Sequence, residues 1–147
     1  IEVFLTELDE FRADLSIMGI TLRENMEKAR LMEVALERAP TAPGELESEI
    51  HELKMDLIDI RTRIYGNASR NEVGEKNPHT IRQRLSTAYR GVMGSTYGPT
   101  PLHRESLELA REEFIEVNAE LEEMANKGIP GLLEKLENAG APWIEGM

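Results

Sequence analysis

Cysteine is absent from the 147 residues, and its absence excludes disulfides, thiolate metal sites and cysteine nucleophiles. Aromatic residues are scarce, with three Phe, three Tyr and one Trp, too few for an all-β sandwich built on aromatic and β-branched strands. No apolar run approaches the ~20 residues of a membrane span, and no signal peptide is visible. Positive charge is short as well. The 17 Lys and Arg face 28 Asp and Glu, for a net charge of −11, so the average field opposes nucleic-acid backbones and anionic membrane surfaces. Neither a nucleic acid nor a membrane is an expected partner. What remains is a chain 40% hydrophobic and 31% charged, a balance typical of helical proteins with long solvated faces, and long enough for one domain with a core.

A 3-4 spacing begins at once: Ile1, Phe4, Leu8, Phe11, Leu15, Met18, Leu22, Asn25, Ala29, Met32, Leu36, Ala39. All but Asn25 are apolar, which predicts one long helix packed in coiled-coil fashion over about residues 1–39. The buried Asn reads first as a device fixing helix register. Pro40 and Pro43-Gly44 end the helix. Leu46, Ile50, Leu53, Leu57, Ile60 and Ile64 repeat the seam over 45–65, with Glu45, Glu47 and Glu49 at the start and Arg61 and Arg63 at the end, as the helix dipole favours. The short link makes an antiparallel hairpin.

Residues 66–77 have no periodicity. Asn77-Pro78 then reads as the cap and first-turn proline of a third helix over 78–94, with Ile81, Leu85, Ala88 and Val92 inward and Tyr89 and Met93 beside them. Thr100-Pro101 opens a fourth over 101–139, in which Pro130 predicts a kink or a restart. The expected fold is all-α: a single four-helix up-down-up-down antiparallel bundle spanning 1–147. Because the inner helices are short, the N-terminal half of the first is expected to pair with the C-terminal half of the fourth. The thin end so formed would leave apolar surface to be covered by the 66–77 loop, by another chain or by an upstream domain.

Little in the chain resembles chemistry. A carboxylate-bridged di-metal bundle needs Glu three residues before a His, but Ser48, Lys76 and Thr100 precede His51, His79 and His103 at that spacing. No metal or cofactor is expected. The Glu112-Glu113, Glu116, Glu120, Glu122-Glu123 run has the spacing of a solvated face rather than of two carboxylates across a cleft. Ser86 and Ser95 lack a nucleophile-elbow context. The stretch GSTYGPTP, 94–101, matches no phosphate loop and is a corner. Charge alone is uneven: residues 66–98 hold five basic residues against two Glu, whereas 101–140 hold ten Glu against four Lys or Arg.

The segments Ser95–Pro101, Ala110-Arg-Glu-Glu-Phe114, Ile129-Pro-Gly-Leu-Leu133 and Ala139-Gly-Ala-Pro-Trp143 together resemble the C-terminal helical region of bacterial sortilin-like, Asp-box (BNR) repeat β-propeller proteins, often labelled glycosyl-hydrolase-like. The resemblance is best over 78–145. It implies a helical accessory part of a larger, extracytoplasmic protein, with any sugar or peptide recognition in the propeller and no catalytic residue carried over. No Asp-box pattern occurs in the chain.

The expectation is therefore a non-catalytic C-terminal fragment that packs against an upstream β-propeller of the same polypeptide or assembles it, with a homo-oligomer as one form of assembly. Arg82, Arg84, Arg90, Tyr97 and Trp143 are its candidate interaction surface. The alternative is a small-molecule or substrate-binding module with a site between helices three and four, near Tyr89, Tyr97 and the arginines.

Overall fold

A computed structural model of the chain describes residues 2–39, 42–66, 79–93 and 98–141. Among them every regular element is helical: α1 (Glu2–Glu37), α2 (Gly44–Tyr65), α3 (Ile81–Met93), α4 (Pro101–Glu123), a π-helical turn (Met124–Gly128) and α5 (Ile129–Asn138). The all-α helical bundle expected from periodicity is what forms. The chain divides into two compact units, Ile1–Gly19 with Ile60–Asn118, and Ile20–Asp59 with Ala119–Met147.

In the first unit three helical rails lie side by side. Phe11 of α1 meets Phe114 of α4 edge to face at 5.4 Å, and Arg104 of α4 sits 5.3 Å from the Phe4 ring centroid. Moving from Phe4 to Phe11 along α1 thus moves forward along α4, so these two helices run the same way. The third rail runs against them. Tyr65, at the end of α2, touches α1 at Gly19, Arg82 of α3 lies over the Tyr65 ring, and Tyr89 bonds Asp9. As α1 is followed back from Gly19 to Asp9, α3 takes over from α2 without a reversal.

This corrects one expectation. The N-terminal half of α1 pairs with the beginning of α4, not with its C-terminal half, and strict alternation of direction does not extend to α1 and α4. A turn between α2 and α3 would have reversed the chain; an end-to-end passage keeps its direction and leaves α4 to return beside α1.

The start of α3 also differs. Its cap is Thr80, whose hydroxyl accepts the Gln83 N–H at 3.1 Å while the Gln83 side chain accepts the Thr80 N–H at 3.1 Å, a reciprocal capping box. Asn77 and Pro78 lie outside the described residues. Met93 is 82% exposed, where an inward flank was expected, because α3 turns its small Gly91 toward α4, which leaves Val92 half-buried and Met93 outside.

In the second unit α1 and α2 run antiparallel, joined by Lys54 and Glu33 at 3.1 Å. Lys135 of α5 reaches Glu49 of α2 at 2.8 Å, and Gly128 packs near Leu53. The helix passes Pro130 without breaking. Ile129 donates its N–H to Met124 O, and the flanking Glu123, Gly128 and Ile129 all keep right-handed helical dihedrals. One widened turn thus accommodates a proline that has no N–H and whose ring would crowd the carbonyl four residues back. The helix then ends in a Schellman turn: Ala141 N–H bonds Leu136 O at 3.0 Å, Gly140 N–H bonds Glu137 O at 3.0 Å, and Gly140 adopts φ 76°.

Candidate functional site

Two clefts flank α3 in the first unit. The first forms where α2 stops. Gly66 adopts φ 89° and returns its N–H to Thr62 O at 2.8 Å, and the capped first turn of α3 begins nearby. Between them and α4 lies a cleft of about 350 Å³ that includes Arg63, His79, Arg84, Glu112 and Glu113 in its walls. Arg63 Nε donates to Glu113 Oε1 at 3.0 Å, and its Nη2 lies 3.6 Å from Glu116. That guanidinium is therefore neutralised from within the chain. Arg84 is half-buried on the facing wall.

The second cleft, of about 390 Å³, lies on the opposite flank of α3, against α1 and Tyr65. Its floor is Leu15 and Leu85, and Arg12, Ser16, Arg82 and Ser86 surround it. Tyr89 Oη donates to Asp9 Oδ1 at 2.6 Å. Burial raises the Tyr89 pKa above the ordinary phenol value, and the Asp9 hydrogen bond and charge raise it further; Arg12 opposes both. The phenol is thereby held as a neutral donor. Arg82 lies 5.9 Å from the Tyr65 centroid, within range of a cation–π contact.

The arginines of α3 do not form one surface. Arg82 borders the second cleft and Arg84 the first, while Arg90 donates to Thr87 Oγ1 on its own helix at 3.1 Å. Tyr97 and Trp143, with most of the 66–77 segment and the first half of GSTYGPTP, lie outside the described residues. Gly98 does adopt the turn conformation expected of it, at φ 89°. Sequence reasoning missed Arg12, Tyr65, Arg63 and Glu113, because each reads as an ordinary face residue of its own helix until a neighbour is placed beside it.

One hydroxyl approaches an imidazole. Thr100 Oγ1 lies 2.9 Å from His103 Nδ1, but Thr100 also donates its backbone N–H to that nitrogen at 3.0 Å. Nδ1 is therefore an acceptor and the ring proton sits on Nε2. The pair works as the cap of α4, with His in the place usually taken by Glu or Gln. Among the described residues no three His, Asp or Glu side chains are grouped to hold a metal ion. No helix among them is long and apolar enough to cross a membrane.

Comparison with protein-family models, with curated proteins and with solved structures finds no significant match to this chain.

Proposed function

We propose that this chain is a non-catalytic helical interaction module that packs against, or assembles, a larger protein. The reading is carried by the apolar side chains at one end of the first unit. The Phe4–Arg104 and Gly91–His103 contacts bring the start of α1, the end of α3 and the start of α4 to the same level. There Val3 is 75% exposed, Met93 82% and Leu102 62%. Single exposed apolar residues are ordinary; three at one end of a small unit suit contact with another protein surface. Burying each fully would contribute about 1.5–3 kcal/mol.

The resemblance over residues 78–145 makes a β-propeller of the same polypeptide the first partner to test, in an extracytoplasmic setting, and a second copy of the chain the next. Light scattering coupled to size exclusion, with and without the polypeptide region encoded upstream, tests the reading. Complex formation that is lost on Met93→Lys with Leu102→Lys is expected. A chain that stays monomeric at every concentration and has no affinity for that region would overturn it. A small-molecule module remains the second reading, favoured by the half-buried Arg84 in the cleft between α3 and α4. It predicts a ligand-induced rise in melting temperature that Arg84→Gln abolishes.

A further inference from the structure

The second cleft is built from the same five-residue pattern used twice. Residues 12–16 of α1 read Arg-Ala-Asp-Leu-Ser, and residues 82–86 of α3 read Arg-Gln-Arg-Leu-Ser. In both, Arg, Leu and Ser stand at i, i+3 and i+4, on one face of a helix, and all six of these side chains border the cleft. The Asp9–Tyr89 bond fixes the antiparallel register of the two helices. Three residues onward on α1 and three back on α3 bring Arg12 level with Ser86; four more bring Ser16 level with Arg82. The site therefore has local two-fold character, with a guanidinium and a hydroxyl at each end and the two leucines between. A tyrosine stands at each end as well: Tyr89 shares Asp9 and Arg12 as its electrostatic neighbours, and Arg82 lies over Tyr65.

The charges of this cleft have only uncharged internal partners: the Arg12 side chain hydrogen-bonds the Tyr89 phenol, and Arg82 lies over the Tyr65 ring. Among the described residues neither Arg12 nor Arg82 makes an ion pair, and neither Ser16 nor Ser86 makes a side-chain hydrogen bond; Arg63 in the neighbouring cleft, by contrast, is engaged by Glu113 and Glu116. The one carboxylate bonded to a cleft residue, Asp9, accepts the Tyr89 hydroxyl. In a chain of net charge −11, two guanidiniums without a carboxylate ion pair, bordering one concave surface together with two hydroxyls, form a local site for negative charge. Charge-assisted bonds from such groups to a carboxylate are among the stronger polar contacts available to a protein.

From this geometry we infer that the cleft between α1 and α3 binds a small organic dianion whose two anionic groups are separated by a short aliphatic spacer. The two ends carry identical donor sets four residues apart along the helices, about 6 Å at the α-helical rise. Leu15 and Leu85, both buried, floor the middle of the cleft and offer no polar group between the two ends, which suits an aliphatic spacer better than a single compact oxyanion. A five-carbon or four-carbon α,ω-dicarboxylate meets both conditions. This assignment is independent of the interaction-module reading, which concerns Val3, Met93 and Leu102 at the end of the unit.

Titration of the ¹⁵N-labelled chain with glutarate, succinate, butyrate and inorganic phosphate, followed by amide shifts, tests it. Saturable shifts in both 12–16 and 82–86 are expected with glutarate or succinate, with butyrate at least about tenfold weaker, since it forfeits one charge-assisted pair. Arg12→Gln and Arg82→Gln should each weaken the dicarboxylate about tenfold, and to similar extents, and the double variant should show no saturable binding. Arg82→Gln also removes the contact over Tyr65, so the comparison of glutarate with butyrate on the unmodified chain stands whether or not the variants fold. The assignment is overturned if glutarate and succinate give no saturable shifts at tens of millimolar. It is equally overturned if butyrate or phosphate binds as tightly as they do, or if a folded double variant binds them unchanged.

Discussion

Gly91 of α3 lies against the imidazole of His103 of α4 so closely that a methyl group at residue 91 would overlap ring atoms Cγ and Nδ1. The ring cannot swing aside freely, because Nδ1 takes part in the Thr100 cap. A glycine within a helix ordinarily weakens it; here, in the last turn of α3, it lets two helices approach.

Gly91→Ala should therefore destabilise the first unit even though Ala is the better helix former. Overpacking costs about 1–3 kcal/mol, against a propensity gain of about 1 kcal/mol. A net loss of up to roughly 2 kcal/mol is expected in chemical denaturation by that difference. Combining it with His103→Ala should relieve the overlap with the ring, while the lost cap and the 2.8 Å approach to the Cβ of residue 103 remain. A Gly91→Ala variant more stable than the parent would refute the close approach.

Two glycines of the second unit should respond in opposite directions. Gly128 has φ −61°, and a Cβ there would sit 3.8 Å from Leu53 Cδ1 and 4.0 Å from Met124 Cβ, ordinary van der Waals distances. Gly128→Ala is expected to add about 0.4–1 kcal/mol by restricting the unfolded chain. Gly140 adopts φ 76°, so Gly140→Ala should cost about 1–2 kcal/mol although nothing lies within 4 Å of its Cβ position. Parallel urea melts compare the two, and equal signs would refute the backbone assignment.

Asn25 is 4% exposed within an otherwise apolar seam. Its Nδ2 donates to Thr21 O at 2.7 Å, while Oδ1 has no hydrogen-bond partner among the described residues. An unsatisfied buried acceptor costs about 1–3 kcal/mol, so Asn25→Leu should raise the unfolding midpoint. Asn25→Asp, which buries a charge, should lower it. If the Asn fixes helix register, the Leu variant should also broaden the distribution of oligomeric states seen by light scattering. A loss of stability in Asn25→Leu would show that Oδ1 is satisfied in solution.

The helices were legible because burial follows a single repeat. Phe4, Leu8, Phe11, Leu15, Met18 and Leu22 are all buried, as are the six seam residues of α2. Within α1 and α2 the reading drifts only near the end of α1, where Ala35 is buried and Leu36 is half-buried. A straight helix slips ~20° against each seven residues, which carries burial onto the adjacent position. Helix direction was not legible. Residues 66–77 carry no pattern, and a link of that length permits either a reversal or an end-to-end passage. Capping chemistry at Thr80-x-x-Gln83 was present in the sequence and outweighs the proline two residues earlier. The cleft pattern was present too, as Arg-x-x-Leu-Ser at 12 and again at 82, but two matching pentapeptides mean nothing until their helices are neighbours. Arg82 entered the sequence reading through the local excess of basic charge, whereas Arg12, on a helix of mixed charge, had no comparable signal.

The Tyr89–Asp9 contact should give the first unit an alkaline limit. Burial, then the hydrogen bond to the Asp9 carboxylate, raise the Tyr89 pKa above the ordinary value of 10.0. A group whose folded pKa is raised contributes stability that is fully present below its unfolded pKa and declines as pH rises toward the folded one. Stability should thus be flat with respect to this group below about pH 10 and fall above it, as the unfolded chain releases the proton first. Tyr89→Phe keeps the ring and removes the titration, so that variant should lose the hydrogen bond at neutral pH yet show a shallower decline above pH 10. Denaturant midpoints measured from pH 8 to pH 11 on both proteins decide the matter; parallel curves would show that folding does not raise the pKa of the phenol.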